Sequence, residues 1–304
     1  MKKQKTKIGT VAWPVSVALT ALCHFNAIAE EDTYRVNLST ISMITTDTSD
    51  TTTRSPVAGL QVFFKPVTID PDQAFDQHEF IQRASNLYLT VSPVEGGTSS
   101  MDTRLSRTGV SVSYYQDDIF ATIGFAKGSG ESIYKASPSL QYDLQYQSSS
   151  FSAGYYLFPL SQLLVGVDKS RLSFSANSLL LPTLADDVTT KTSLASKTLW
   201  NIDTQQSLCF ELSLSSIRHE DSDTLQNNEA DASLKYYPVP SAYAQLELTR
   251  NRGDYKKITG DTSMLAAGYA FTPRLSLYAA YLNFKANGTA QDNHSVLVAG
   301  NYRF

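Results

Sequence analysis

The sequence contains very little cysteine, with Cys23 and Cys209 as the two in 304 residues. This number excludes a small domain held together by a framework of disulfides. The net charge of −4 excludes the strongly basic surface on which nucleic-acid-binding proteins depend. Because 42% of the residues are hydrophobic and 11% are aromatic, the chain also differs from intrinsically disordered sequences. We therefore expect a folded protein that binds no nucleic acid and is stabilised by something other than disulfides.

The first 29 residues have the order of segments that is typical of a secretory signal peptide. Four lysines lie between positions 2 and 7, an apolar run follows over 8–22, and Ala27-Ile28-Ala29 provides a cleavage site. The apolar run contains Pro14 and is shorter than the roughly 20 residues of a transmembrane helix. A lipoprotein signal ending at Cys23 is the alternative, but Leu22 is large for the position before such a cysteine. We predict residues 1–29 as a signal peptide and residues 30–304 as one domain.

Cleavage after Ala29 changes the charge balance of the chain. It removes four lysines and no acidic residue, and so leaves 21 basic and 29 acidic side chains with a net charge of −8. It also removes Cys23, so that Cys209 is alone and no internal disulfide can form. After position 29 no apolar run approaches the roughly 18 residues of a membrane-spanning helix. An exported soluble protein and an outer-membrane β-barrel remain.

Apolar residues alternate with mostly polar or small residues, with a period of two, along almost the whole chain. The runs 208–214 and 242–248 are typical, because every second residue is Leu, Phe or Ala. This period predicts strands with one apolar face. The alternating segments number 14, an even count as bacterial single-chain barrels require. They cover residues 33–45, 56–66, 79–92, 107–116, 118–127, 149–158, 162–175, 190–200, 206–218, 230–237, 241–250, 260–271, 274–284 and 293–304.

The connections between these segments are of two kinds, tight turns and long polar stretches, which alternate from residue 107 onward. Barrels in outer membranes have this asymmetry, with short periplasmic turns and long outer loops. We therefore predict an all-β fold, a transmembrane antiparallel up-and-down barrel of about 14 strands. Residues 138–147 also alternate and leave 12 or 16 strands as alternatives. The connection 67–78 is unusual because it is long where a tight turn is expected, and a helical turn is allowed within 72–84.

The last strand, ending at Phe304, resembles that of Gram-negative outer-membrane β-barrels, which characteristically end in an aromatic residue with another aromatic two positions before it. Tyr302 and Phe304 match this pattern. The resemblance implies that these two residues form the signal recognised by the barrel assembly machinery. Outer-membrane lipid and lipopolysaccharide are the other partners that it implies.

A narrower resemblance lies within residues 62–89. The segments VFFKPV and DQHEFIQRASNLYL are similar to a porin group of marine-type proteobacteria, in which F-x-P-V precedes A-F-L-x-R-A-S. His78 and Glu79 depart from the small residues of that group. The resemblance favours a porin over other barrels and leaves a homotrimer open. The matching residues are Phe64, Pro66, Val67, Phe80, Ile81, Arg83, Ala84 and Ser85.

Charged residues within the strands indicate which face is polar. An inward charge avoids the penalty of about 2 to 4 kcal/mol for Lys or Arg at the lipid midplane, so we predict that six charged residues line the lumen. Small residues at 266, 268 and 270 predict either open space or the close approach of a loop, with 67–78 or an outer loop as the candidate to narrow the lumen. The six predicted lumen residues are Arg35, Lys65, Glu211, Lys235, Glu247 and Arg303.

The sequence contains no motif for catalysis, and no cofactor or metal site is predicted. His219 and His294 are the histidines that an outer-membrane hydrolase could use, but both are more simply read as exposed polar residues. The acidic stretch 219–229 lacks the glycine and the spacing of an EF-hand. We predict a porin-like channel for passive diffusion of small polar solutes or ions. The alternatives are a non-conducting structural or adhesion barrel and, third, an outer-membrane hydrolase.

Overall fold

A computed structural model describes residues 33–47, 52–97, 100–137, 140–177, 184, 186–220, 226–253, 259–287 and 292–304. The predicted signal peptide and part of the acidic stretch 219–229 lie outside these residues. The chain forms fourteen strands and one short helix, α1, over His78–Ile81. The strands are β1 Thr33–Asp47, β2 Thr52–Thr68, β3 Asn86–Gly97, β4 Met101–Gln116, β5 Ile119–Tyr134, β6 Gln141–Phe158, β7 Ser161–Ala176, β8 Asp187–Asn201, β9 Ser207–His219, β10 Gln226–Val239, β11 Ala242–Gly253, β12 Thr259–Ala270, β13 Leu275–Asn287 and β14 Asn293–Arg303.

The fourteen strands form one closed antiparallel barrel. Each strand pairs with its neighbours in sequence, and β1 closes the barrel by pairing with β14 from Asn37↔Arg303 to Asp47↔Asn293. The predicted fold class and strand count are therefore confirmed. Among the described residues, no helix is long and apolar enough to cross a membrane.

The two ends of the barrel differ in their connections. At one end, here called the turn end, five of the six connections contain between two and five residues, and the sixth is the segment 69–85 between β2 and β3. Both the start of β1 and Phe304 lie at this end. The opposite end, here called the loop end, carries the remaining connections.

The alternation of side chains separates an apolar outer face from a polar inner one. Large apolar residues at every second position of the strands are exposed on the outer face. Their neighbours in sequence point into the barrel. Members of the outer set include Val110, Phe125, Phe151, Val165, Leu214, Leu248, Leu265, Leu277 and Val298.

Several strands continue further toward the loop end than the sequence predicts. β4 begins at Met101, β5 ends at Tyr134 and β6 begins at Gln141. The described part of the segment 138–147 therefore contains the beginning of β6 and no additional strand. In these extensions the polarity is reversed, because Tyr142 and Leu144 are buried inside while Asp143 between them is exposed. Met101, Leu105, Leu172 and Phe174 pack against the same inner cluster. Parts of the long loops predicted at this end are thus strands, which extend beyond the apolar outer face of the barrel.

Candidate functional site

Residues 69–85 fold into the turn end of the barrel and are here called the plug. The plug begins with a turn at Asp70-Pro71-Asp72, in which the Asp70 carboxylate accepts a hydrogen bond from the Asp72 backbone N–H at 3.0 Å. The Gln82 side chain then bonds back to the end of β2, accepting from the Thr68 N–H at 2.8 Å and donating to its carbonyl at 2.6 Å. The plug is therefore a folded hairpin-like connection held at its base. The predicted third strand starts too early, since β3 begins at Asn86 and residues 79–85 belong to the plug.

One side of the plug is anchored by aromatic packing. The ring of Phe75 stacks on Tyr243 with a centroid distance of 5.7 Å, and its backbone N–H donates to the Pro240 carbonyl at 3.0 Å. A side chain at Gly268 would collide with the Tyr243 ring, so the glycine gives that ring its place. Ala270 lies in the same buried cluster. The small inward residues of β12 thus allow the plug to approach closely, which is one of the two predicted alternatives.

The same side of the plug carries a buried polar anchor. The Asp76 carboxylate lies 2.9 Å from the Lys235 ammonium and accepts a hydrogen bond of 2.6 Å from the Tyr237 hydroxyl. The Gln77 amide donates to the same hydroxyl oxygen at 2.8 Å. Tyr237 has an exposure of 0%, so these bonds are shielded from water. Asp76 therefore joins the plug to β10.

The far side of the plug reaches the opposite wall. Glu79 accepts a hydrogen bond from the Tyr34 hydroxyl at 2.6 Å, and the Arg303 guanidinium lies 3.9 Å from the same carboxylate oxygen. The ring of Phe80 packs beside Tyr156 at 5.6 Å. The plug thus touches β1, β6, β10, β11 and β14, and so crosses the lumen near the turn end.

Arg83 attaches the end of the plug to the turn between β4 and β5. Its guanidinium donates to the Asp117 carbonyl at 2.6 Å and to the Asp118 carboxylate at 2.7 Å, and it lies 4.2 Å above the Tyr156 ring. Arg83 and Asp117 both have a left-handed backbone, with φ of 51° and 53°. Such a φ is uncommon for residues other than glycine. The two residues with this strained backbone, Arg83 and Asp117, are therefore also the two partners of one hydrogen bond.

The environment of the plug shifts the pKa of two of its groups. Burial alone would raise the pKa of Asp76, but Lys235 and the hydrogen bonds from Tyr237, Lys235 and Gln77 outweigh it and hold that pKa below its usual value. For His78, burial lowers the pKa and outweighs the hydrogen bond between its Nε2 and the Asp70 carbonyl at 3.1 Å. The docked plug therefore contains a charged Asp76 and favours a neutral His78.

Four of the six predicted lumen residues lie on the inner face of strands. Lys235 and Arg303 face plug carboxylates, while Glu211 lies 3.1 Å from the Lys197 ammonium. Glu247 accepts a hydrogen bond from Gln245 at 3.3 Å. The structure therefore brings Lys235 and Arg303 together with the plug and places Glu211 and Glu247 on the wall beyond it.

The other two predicted lumen residues, Arg35 and Lys65, are exposed at the turn end. Both lie where the pairing of β1 and β2 shifts register, between Tyr34↔Val67 and Val36↔Val62. This bulge changes the alternation, so Tyr34, which the period of two assigns to the lipid face, is fully buried inside against Phe63.

A polar cavity lies above the plug, on its loop-end side. Its volume is about 550 Å³, and Asp76, Glu79, Phe80 and Ala84 form its floor. The walls come from β1 to β4, β7, β8 and β14. The plug therefore lies between this cavity in the lumen and the turn end of the barrel.

Sequence reasoning missed Asp76, Glu79 and Tyr237 as functional residues. The signal that could have indicated Asp76 was the long connection 67–78, which contains three aspartates where a tight turn is expected. Nothing local marks Tyr237, because its partner lies 161 positions away. His219 and His294 lie at the loop end of β9 and β14, far from His78 in the plug.

A scan against protein-family models and a search of curated proteins found no match. Solved structures with a similar fold include the outer membrane protein Omp33 of Acinetobacter baumannii, at 15% identity and a TM-score of 0.56 over 90% of this chain and all of that one. The CymD monoaromatic hydrocarbon channel is 10% identical with a TM-score of 0.55, over 89% of each chain. A FadL homologue of Pseudomonas aeruginosa is 10% identical with a TM-score of 0.51, over 90% of each chain. These likenesses show the fold of a Gram-negative outer-membrane barrel.

Proposed function

We propose that the protein is an outer-membrane channel for small polar solutes whose periplasmic end is closed by the plug. The observation that carries this proposal is the polar cavity of about 550 Å³ that ends on the plug inside a closed barrel. Short turns face the periplasm in outer-membrane barrels, so the turn end is the periplasmic end. In the docked state the plug blocks diffusion, and a solute passes when the plug moves.

The contacts of the plug support a movable closure. Its anchors are a few ion pairs, hydrogen bonds and aromatic contacts, mostly made by side chains, and its backbone is not a strand of the barrel sheet. Releasing these contacts leaves all fourteen strand pairings intact. Plug displacement therefore needs much less energy than opening of the barrel.

Transport of apolar solutes is the alternative that one of the similar structures suggests, because CymD is a monoaromatic hydrocarbon channel. The cavity in this chain is lined mainly by amides and hydroxyls. An apolar solute would leave these groups without hydrogen bonds, which opposes its binding. The lining therefore favours polar solutes.

Planar bilayers test the proposal. In one variant a short Gly-Ser linker replaces residues 70–83, and heat-modifiable gel mobility checks that its barrel is folded. We expect the wild-type protein to be closed for most of the time and the variant to conduct steadily. If the folded variant gives no discrete conductance steps, the proposal of a channel is wrong and a non-conducting structural barrel is the better description.

A further inference from the structure

Carboxamide side chains from the barrel wall line the cavity above the plug. Five of them face it from five different strands, and an amide both donates and accepts hydrogen bonds. Among the described residues, the buried carboxamide oxygens of Asn37 and Gln162 have no hydrogen-bond partner. These two oxygens are covered by neighbouring atoms, so each amide must rotate before a solute hydroxyl can donate to its oxygen. The five amides belong to Asn37, Gln61, Asn86, Gln162 and Asn301.

Hydroxyl groups and aromatic rings complete the lining. Ser39, Ser111 and Tyr88 present hydroxyls, and Phe80 and Tyr115 present rings. The Tyr88 ring extends across β2 because Gly59 has no side chain, and any Cβ there would collide with the Tyr88 hydroxyl. Flat aromatic rings beside groups that donate and accept hydrogen bonds suit a solute with both C–H surfaces and hydroxyls.

Each charged group that lines the cavity already has a partner of opposite charge. Asp76 is paired with Lys235, Glu79 with Arg303, and Lys197 with Glu211 at 3.1 Å. A charged solute would therefore find no uncompensated charge and would lose its own hydration. The cavity favours a neutral solute.

We infer that this cavity is a binding site for a neutral polyhydroxylated solute of the size of a mono- or disaccharide. The inference rests on the channel proposed above, because it identifies the solute class that occupies the lumen before the plug moves. Hydroxyl groups would bond to the amides from several walls while a ring face of the sugar packs on Tyr88 or Tyr115. The proposed contacts require no covalent step and no cofactor.

Titration calorimetry of the purified full chain in detergent tests the site with glucose and sucrose as the neutral probes. Gluconate, glucosamine and toluene serve as the anionic, cationic and apolar probes. We expect saturable binding of a neutral sugar and at least about tenfold weaker binding of the other three. Equal or tighter binding of a charged probe or of toluene would overturn the assignment, as would the absence of sugar binding in the wild-type protein.

Matched variants on β14 locate the site. Asn301→Leu removes an amide from the cavity, whereas Asn293→Leu changes the same residue type on the same inner face at the loop end. We expect Asn301→Leu to weaken sugar binding about tenfold and Asn293→Leu to change it less than about twofold. Equal effects of the two variants would contradict the site.

The two proposals can fail separately. Conductance without sugar binding retains the channel and rejects the saccharide site. If the wild-type protein binds a sugar but the plug-deleted variant does not conduct, the site is retained and the channel is rejected.

Discussion

At the scale of single residues, the charges on the barrel wall are compensated by the plug. Lys235 and Arg303 face inward as the alternation predicts, but their partners Asp76 and Glu79 come from a connection far away in sequence. A charge that is only partly exposed is costly when it has no partner. The plug therefore stabilises the inner wall.

Asp76→Asn should weaken the closure. The substitution keeps the shape of the side chain but leaves Lys235 without a counter-charge at 2.9 Å. We expect the open probability in planar bilayers to increase by roughly tenfold to a hundredfold, since loss of one partner of a partly buried ion pair typically costs a few kcal/mol. Asp72→Asn is the control, because Asp72 is exposed in the first turn of the plug. An unchanged open probability in Asp76→Asn would contradict the anchoring role of this carboxylate.

The closure should also depend on pH through His78. Because burial holds the pKa of His78 below its ordinary value of 6.5 in the docked plug, protonation favours the released plug. Docking is therefore fully stable above about pH 6.5 and weakens as the pH falls below it, so that openings become more frequent. Asp76 does not contribute in this range, since its lowered pKa keeps it charged.

Single-channel recordings between pH 7.5 and 5.5 measure this dependence, with His78→Gln as the comparison. The glutamine variant cannot be protonated, so its open probability should change much less over the same range. A wild-type protein that is equally closed at both pH values would contradict the prediction.

At the scale of elements, β12 and β11 are shaped for the plug. The stacking of Phe75 on Tyr243 depends on Gly268, since a methyl group there would displace the ring. We expect Gly268→Ala to destabilise the folded barrel by about 1 to 3 kcal/mol through overpacking, as measured by urea unfolding in detergent micelles. The cost should largely disappear in a Tyr243→Ala background.

Gly300→Ala on β14 is the matched control. An added Cβ at Gly300 lies 3.3 Å from Leu277 and therefore needs only a small adjustment. A similar loss of stability in both alanine variants would show that strand glycines matter for another reason than the plug.

The strands were predictable and the plug was not, for a physical reason. Lipid outside and water inside impose a period of two on each strand, so the local sequence carries the information. The third strand was predicted to begin at residue 79, seven residues too early, because a left-handed φ at Arg83 cannot be read from a period of two. The change in direction of Tyr34 likewise depends on a bulge in the pairing with β2. The contacts of the plug join positions as far apart as Glu79 and Arg303, and no local pattern encodes them.

At the scale of the whole molecule, the carboxyl terminus closes the barrel. The Phe304 N–H donates to the Val36 carbonyl at 2.8 Å, and the Phe304 carbonyl accepts from the Arg35 N–H at 2.7 Å. The rings of Tyr302 and Phe304 lie 4.5 Å apart, edge to face. Backbone closure and the predicted assembly signal thus coincide in the last three residues.

Two variants separate these roles. Phe304→Ala keeps both backbone hydrogen bonds and removes the ring. Deletion of residue 304 removes the ring and the two hydrogen bonds together. If the ring is the assembly signal, Phe304→Ala should reduce the amount of heat-modifiable barrel in the outer membrane several-fold without lowering the unfolding midpoint of the protein that does assemble. Normal assembly of Phe304→Ala would contradict a role for the ring.

The attachment of the plug to β2 and β3 at both ends has a kinetic consequence. A released plug cannot diffuse away, and its effective concentration at its own docking site remains in the millimolar range or above. Closing is therefore an intramolecular step whose rate does not depend on protein concentration. A double-tethered closure of this kind favours short openings, during which a few solutes pass before the same segment is recaptured.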